Sequence, residues 1–204
     1  QLDSLSIMKE YYNRSNTFAQ QVMLHIVLSV ASVLVAIFIG IPIGAYIYKS
    51  NKPNRPILFL VNLGQTIPTL SLLGLMIVPL GIGVKPAFVV LVLYAIFPIV
   101  HNTLSGLKMV NRNVVEAASG VGMKSTQMFW KVEMPLSFPV ILGGIRTALT
   151  QSVGNTILAG LIGGGGLGSI IFLGLAQAVP DLIMLGIIPL IAIRSEERRV
   201  GEEC

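Results

Sequence analysis

The stretch EAASGVGMKSTQMFWKVEMP, Glu116 to Pro135, is polar and broken by glycine, although most of the chain around it is apolar. The 204 residues are 53% hydrophobic and only 11% charged, whereas soluble domains carry about 25% charged residues. The apolar runs are continuous rather than alternating, and a membrane span must satisfy its backbone polar groups internally, so helices are favoured. The sequence therefore predicts an all-α polytopic membrane protein.

About five transmembrane helices are expected from the apolar runs. The predicted spans are Val22–Tyr48, Ile57–Val78, Ala87–Leu104, Leu136–Leu161 and Leu182–Ile193, with a short apolar helix at Ser169–Ala178. Gly40, Pro42 and Gly44 are expected to bend the first span near its end. The last span would be about 18 Å long against about 30 Å of hydrocarbon, so we expect it to be truncated.

The basic residues of the loops predict the orientation of the chain. The first loop contains Lys49, Lys52 and Arg55, the second only Lys85, and the third Lys108, Arg112, Lys124 and Lys131. Because cytoplasmic loops carry the excess of Lys and Arg, the first and third loops are expected in the cytoplasm and the N-terminus outside. This rule accounts for the net charge of +5 without a nucleic-acid partner.

The opening stretch is predicted to fold as helix, turn, helix at the cytoplasmic face. Asn113 is expected to cap the first helix, and Ser125 or Thr126 the second. Gly120 and Gly122 disfavour one continuous helix, since an interior glycine costs about 1 kcal/mol. The stretch is either a surface for another protein or an amphipathic helix that lies in the lipid headgroups.

The spacing of this stretch resembles the EAA loop of binding-protein-dependent ABC importer permeases. Glu116, Ala117 and Ala118 are followed after three residues by Gly122, and after nine more by Val132-x-Met134-Pro135. The family pattern has Ile and Leu where this chain has Val132 and Met134. Four further stretches are similar to the osmoprotectant branch, which takes up glycine betaine, carnitine or choline: GQTIPTLSLLGLMIVPLGIG, LYAIFPIVHNTLSGL, GGIRTAL and LIGGGGLGSIIFLGLA.

The resemblance implies a MetI-like permease domain over residues 22–193, with a coupling loop at 113–135. Its ATPase-coupling residues would be Glu116, Ala117, Ala118, Gly122 and Pro135. The implied partners are an ABC ATPase subunit, an extracellular substrate-binding protein, a second permease chain and the lipid bilayer of a bacterial plasma membrane. ATP would be bound by the partner ATPase, so no cofactor is expected in this chain.

The two ends of the chain are expected to lie outside this domain. Residues 1–21 are mixed and polar, which is typical of an interfacial segment. Residues 194–204 (RSEERRVGEEC) resemble a sequencing-library adapter read in frame, so we expect a non-native tail.

Two clusters inside the apolar part are candidates for transport roles. Gln65, Thr66 and Pro68 in the second span, with Asn155 in the fourth, either line a translocation path or bond helix to helix. Gly163, Gly164, Gly165 and Gly166 begin a GxGxxG pattern, but no strand precedes it, which argues against nucleotide binding. These glycines either pack helices closely or form a flexible turn, and the resemblance implies a gate hinge.

The sequence contains no recognisable catalytic set, and we predict a transport subunit rather than an enzyme. His25 and His101 stand at span edges without acidic or cysteine neighbours, so interfacial hydrogen bonds are expected rather than metal ligation. Three alternatives stay open: a permease for another small solute such as methionine, an ion-coupled secondary transporter, and a non-transporting scaffold. The predicted spans lack Asp and Glu, which argues against proton coupling.

Overall fold

The computed structural model describes residues 15–50, 59, 63–64 and 66–202, and the regular elements in this part are all helical. Three helical stretches are long and apolar enough to cross a membrane: Thr17–Lys49, Val84–Met109 and Ser125–Ile162. A π turn at Phe129–Glu133 and a 3₁₀ turn at Gly160–Ile162 interrupt the α-helical hydrogen bonding. The helices are α1 Ser15–Lys49, α2 Thr69–Leu80, α3 Val84–Met109, α4 Arg112–Gly120, α5 Ser125–Met128, α6 Met134–Ala159, α7 Leu167–Ala176 and α8 Pro180–Glu202.

Helices α1, α3 and α6 form the centre of the fold because small residues let their backbones approach closely. A Cβ added to Gly44 of α1 would lie 2.7 Å from Cβ of Thr103 on α3, and one added to Gly144 of α6 would lie 2.5 Å from Cβ of Asn102. Such contacts are typical of membrane helices. Between the three helices lies an apolar cluster of Val33, Ala36, Ala95, Ile99 and Ala148.

The first predicted span is longer than expected. Helix α1 begins at Ser15, so residues 15–21 of the predicted interfacial segment belong to it, whereas residues 1–14 lie outside the described part. It continues through Pro42 to Lys49 as one helix. Gly40 and Gly44, which were expected to bend it, are positions where α3 packs closely.

The second predicted span is interrupted, and its prediction as one continuous helix is wrong. Pro68 has φ −61° and ψ 133°, an extended conformation, and α2 begins only at Thr69. Proline lacks an N–H and clashes with the turn before it, and it pushes the preceding residue out of the α region, which explains the break. Helix α2 then continues past Pro79 to Leu80.

The fourth span, predicted as Leu136–Leu161, belongs to a longer helical stretch that begins at Ser125. Helix α5, the π turn and α6 run on without a break, and the N–H of Met134 donates to the carbonyl of Phe129, five residues back. Pro135 has no N–H to donate, so the bonding pattern of the preceding turn must change. A π turn absorbs such a change without ending the helix.

The last two helices pack against one another at the end of the described chain. Gly174 of α7 and Gly186 of α8 both sit where an added Cβ would be less than 3.0 Å from the facing helix. The apolar part of α8 is Pro180–Ile193, and the helix continues to Glu202, into the predicted tail.

Candidate functional site

Helix α4 begins the loop between α3 and α6 and is fixed by a side-chain cap. The Asn111 side chain is the N-cap, and its Oδ1 accepts a hydrogen bond of 2.9 Å from the N–H of Asn113. Sequence reasoning placed the cap at Asn113. Two asparagines two residues apart are both good capping residues, and the apolar pattern here does not fix the helix start.

Gly122 closes α4 in a Schellman motif. The N–H of Met123 donates to the carbonyl of Ala118 (3.2 Å), and the N–H of Gly122 donates to that of Ser119 (3.0 Å). This pair of bonds requires a left-handed residue at the C′ position, and Gly122 has φ +81°. The glycine predicted to belong to the family motif therefore has a direct structural role in turning the chain between α4 and α5.

The second helix of the loop is capped by a residue that the sequence did not indicate. Its N-cap is Lys124, whose backbone N–H donates to Oε1 of Gln127 at 3.0 Å. The predicted caps, Ser125 and Thr126, are already inside α5. The signal that was overlooked is Gln127, because a Glu or Gln at the third helical position commonly bonds back to the cap.

The loop presents an exposed surface with one acidic and several apolar side chains. Glu116 and Ala117 are exposed, whereas Ala118 is 8% exposed and faces the protein. Val121 is 80% exposed and Trp130 is 62% exposed. We call Val114, Glu116, Ala117, Val121 and Trp130 the docking surface. Exposed apolar side chains at the end of a helix bundle are typical of a contact with another molecule.

Pro135 is exposed at the second position of α6, after the π turn that carries Trp130, and is not part of the docking surface. Its effect on the loop is therefore indirect, through the change in backbone bonding. The motif residues thus divide between a surface role for Glu116 and Ala117 and a conformational role for Gly122 and Pro135.

The candidate path residues are only partly brought together. Asn155 on α6 accepts a hydrogen bond of 3.4 Å at Oδ1 from the hydroxyl of Thr69 on α2. Thr66 and Pro68 are exposed, and the Thr66 hydroxyl donates to the carbonyl of Leu63 at 2.8 Å. Gln65 lies outside the described residues.

Sequence reasoning missed a polar stripe on α6. Arg146, Thr147 and Gln151 are exposed, and Thr150 is half-buried on the same side. Their spacing of three to four residues places them on one face of the helix, and this spacing could have been read from the sequence. Polar residues inside a span are expected to face the interior of an assembly or a water-filled path.

The opposite face of α6 forms a buried ladder of hydroxyl groups with α1. The hydroxyls of Ser32 and Ser152 lie 2.8 Å apart, and those of Ser29 and Thr156 lie 2.9 Å apart. His25 is fully buried beside them, and its Nε2 donates to the carbonyl of Val153 at 3.1 Å. The prediction that His25 makes interfacial hydrogen bonds at a span edge is wrong, because the ring is buried between α6 and the turn at Gly166, where an added Cβ would lie 3.2 Å from its Nδ1.

The four glycines after α6 form a tightly packed turn. Gly163, Gly165 and Gly166 have φ between +73° and +77°, and a Cβ on Gly165 would lie 2.5 Å from Cδ2 of Leu24. Gln21 of α1 accepts at Oε1 from the N–H of Gly166 (2.7 Å), the N-cap residue of α7. Of the two readings of this segment, close helix packing agrees with these contacts.

Three comparisons place the chain among known proteins. Residues 32–194 match the family described as the binding-protein-dependent transport system inner membrane component. The glycine betaine/carnitine/choline transport system permease protein OpuCB of Bacillus subtilis (strain 168) is 39% identical over 165 residues, which cover 81% of this chain and 76% of the relative. The ergothioneine transport permease/ergothioneine binding protein EgtU of Helicobacter pylori (strain G27) is 40% identical over 153 residues, 75% of this chain and 28% of the relative.

A solved structure of the MetNI methionine ABC transporter, in an inward-facing conformation, contains a chain with the same fold. Its TM-score is 0.75 at 23% identity, and the match covers 91% of this chain and 95% of that one. The predicted all-α, MetI-like membrane fold is thus confirmed. The chain belongs to the family of inner membrane components of binding-protein-dependent transport systems, and it is a multi-pass membrane protein with a transport role.

Proposed function

We propose that this chain is the permease subunit of an ATP-driven importer and that loop 113–135 is where its ATPase subunit docks. The observation that carries the proposal is the geometry of the docking surface. The surface is exposed, its turn is fixed by Gly122, and α5 continues through the π turn into spanning helix α6. A force applied to this loop would therefore act directly on a helix that crosses the membrane.

The orientation follows from the charges and from which ends of the helices meet. Lys49 at the end of α1 lies beside the π turn, so the basic end of α1 and the lysines of loop 113–135, Lys124 and Lys131, share one side of the membrane. The Gly163–Gly166 turn meets Gln21 near the other end of α1. Under the positive-inside rule, the docking surface faces the cytoplasm and the glycine turn lies toward the outside, where a binding protein would deliver substrate.

The polar stripe of α6 is the proposed wall of the translocation path. The stripe, formed by Arg146, Thr147, Thr150 and Gln151, lies on the face of α6 opposite the buried hydroxyl ladder. Such polar groups are stable in a membrane when another protein surface or water faces them. A second permease chain, identical or homologous, would enclose the path from the other side. Asn155 and Thr66 would lie at its margin, and Gln65 remains a candidate on sequence grounds alone.

The glycine turn is the proposed gate element at the outer end of this path. The positive φ angles of Gly163, Gly165 and Gly166 define the shape of the turn. The Gln21 side chain bonds it to α1. In this proposal the turn moves together with α7. The backbone freedom of Gly163 to Gly166 allows the chain to change direction where it enters and leaves the turn.

The substrate is proposed to be a small solute with a quaternary ammonium group, such as glycine betaine, carnitine or choline. The two relatives described above are named for the transport of glycine betaine, carnitine, choline and ergothioneine. All four compounds carry a trimethylammonium group. The external binding protein would supply the aromatic cage that recognises such a cation.

Uptake measurements in cells test this function. The gene is expressed, with its neighbouring ATPase and binding-protein genes, in a host that lacks its own osmoprotectant uptake, and labelled glycine betaine is supplied at high osmolarity. We expect ATP-dependent uptake that is lost in Glu116→Lys and retained in the loop variant Gln127→Glu, which keeps the backbone cap. Uptake that stops with an ionophore but survives ATP depletion would instead indicate an ion-coupled transporter. ATPase binding without betaine uptake would direct the search to methionine or another small solute.

A further inference from the structure

The last turn of α1 contacts the π turn through two polar interactions. The Tyr48 hydroxyl donates a hydrogen bond of 2.9 Å to Oε1 of Glu133. The Nζ of Lys49 lies 3.6 Å from the centroid of the Phe129 ring, a cation–π geometry. We call these four residues the α1 clasp. Phe129 and Glu133 are the first and last residues of the π turn.

The two clasp residues of the π turn are buried, whereas Tyr48 is half-buried and Lys49 is exposed. Glu133 is 7% exposed and Phe129 is 3% exposed. A carboxylate removed from water requires hydrogen-bond donors, and Tyr48 supplies one from a helix that is remote in sequence. If Tyr48 moved away, the Glu133 carboxylate would stay buried without this donor. The end of α1 and the π turn are therefore expected to move together.

The clasp is also continuous with the exposed docking surface. Trp130 is 62% exposed, and its ring packs edge-on against Phe129 with 5.2 Å between the centroids. Phe129 in turn lies under the Lys49 ammonium group. One side of the π turn therefore faces the proposed partner, and the other holds the end of α1.

We propose that the α1 clasp transmits displacement of the docking surface to helix α1, with Glu133 and Tyr48 as its positioning residues. This inference rests on the proposed function, in which an ATPase moves loop 113–135. Helix α6 moves with the loop because it continues from it. Helix α1 follows because the clasp ties it to the π turn, so both helices that share the hydroxyl ladder shift as one body.

The first test compares Tyr48→Phe with Tyr46→Phe in the complete transporter, reconstituted with its ATPase and binding protein. Tyr46 is 63% exposed on the same turn region of α1 and is the matched control. We expect Tyr48→Phe to lower the ratio of solute taken up to ATP hydrolysed by about tenfold, the size expected when a hydrogen bond to a charged group is lost. ATPase binding should be unchanged. Glu133→Ala should also lower this ratio, and Glu133→Gln, which keeps a hydrogen-bond acceptor, should lower it much less.

The second test measures whether the two ends move together, and it does not depend on coupled transport. Tyr46→Cys and Lys131→Cys, which leave the four clasp residues in place, are combined with Cys204→Ser, which removes the one cysteine of the chain. Both positions are exposed, and spin labels attached to them should report the same distance without nucleotide and in the ATP-trapped complex. A distance that changes between these states would overturn the proposal, as would equal coupling ratios for Tyr48→Phe and Tyr46→Phe. Failure of the wild-type chain to bind any ATPase would instead refute the proposed function on which the clasp depends.

Discussion

Substituting Gly122 by alanine should weaken ATPase binding through backbone strain alone. A Cβ at this position would meet nothing within 4 Å, so no side chain has to move. The residue has φ +81°, however, and a non-glycine residue in the left-handed region costs about 1 to 2 kcal/mol. The Schellman bonds to Ala118 and Ser119 can form only while this conformation is kept.

The size of the effect follows from this strain. The variant can relieve the strain of alanine at this φ by leaving the Schellman conformation. The fraction of molecules whose loop has the shape that binds the ATPase then falls by up to about 5- to 30-fold. The apparent Kd for the ATPase then rises by the same factor, because the ligand binds only the competent fraction. Gly120→Ala is the matched control. Its Cβ also meets open space, but Gly120 has an ordinary helical φ, and alanine there is expected to favour α4 by up to about 1 kcal/mol.

The assay is equilibrium binding of the purified ATPase subunit to the permease in detergent or nanodiscs. We expect weaker binding for Gly122→Ala, near-normal binding for Gly120→Ala, and an intermediate result for Gly122→Asn, since asparagine tolerates the left-handed region. Equal affinities for Gly122→Ala and Gly120→Ala would show that the φ of Gly122 has no part in docking, and would refute the reasoning.

Three further experiments test the fold that supports the loop. Asn111→Ala removes the α4 cap and should destabilise that helix by about 1 kcal/mol, which hydrogen exchange would detect as faster exchange of the first α4 amides. Ser32→Ala and Ser152→Ala should show a coupling energy of about 0.6 kcal/mol in a double-mutant cycle of thermal stability, as buried membrane hydrogen bonds do; independent effects would contradict the ladder. Gly168→Ala would place a Cβ 1.8 Å from the Ile157 carbonyl oxygen and should lower the Tm sharply. Gly143→Ala, with nothing within 4 Å, should leave the Tm nearly unchanged.

The membrane helices could be predicted from the sequence because lipid imposes a simple requirement. A spanning segment must be long, apolar and internally hydrogen-bonded, and α1, α3 and α6 each satisfy this over the predicted region. The loop could be predicted from the spacing of Glu116, Gly122 and Pro135, although the reason for Gly122 became clear only with its φ angle. The break at Pro68 was also readable, since proline disfavours the helix before it.

Other features depend on which helices meet, and periodicity within one helix does not specify this. His25 was expected at a span edge, but it is fully buried, and α6 supplies the carbonyl that its Nε2 bonds. The π turn at Phe129–Glu133 arises where Pro135 withdraws a donor while Phe129 and Glu133 are held by the end of α1. The pairing of Tyr48 with Glu133 joins residues 85 positions apart, so no local pattern could indicate it.

Cross-linking from the docking surface tests the central claim, that loop 113–135 is the ATPase contact. Val121→Cys, at a side chain 80% exposed, is prepared in the Cys204→Ser background and labelled with a photoreactive thiol reagent. The control is Leu175→Cys on α7, 55% exposed and beyond the glycine turn. We predict a cross-link between position 121 and the ATPase subunit and none from position 175. Cross-linking from 175 alone, or from neither position in a complex that transports, would contradict the account.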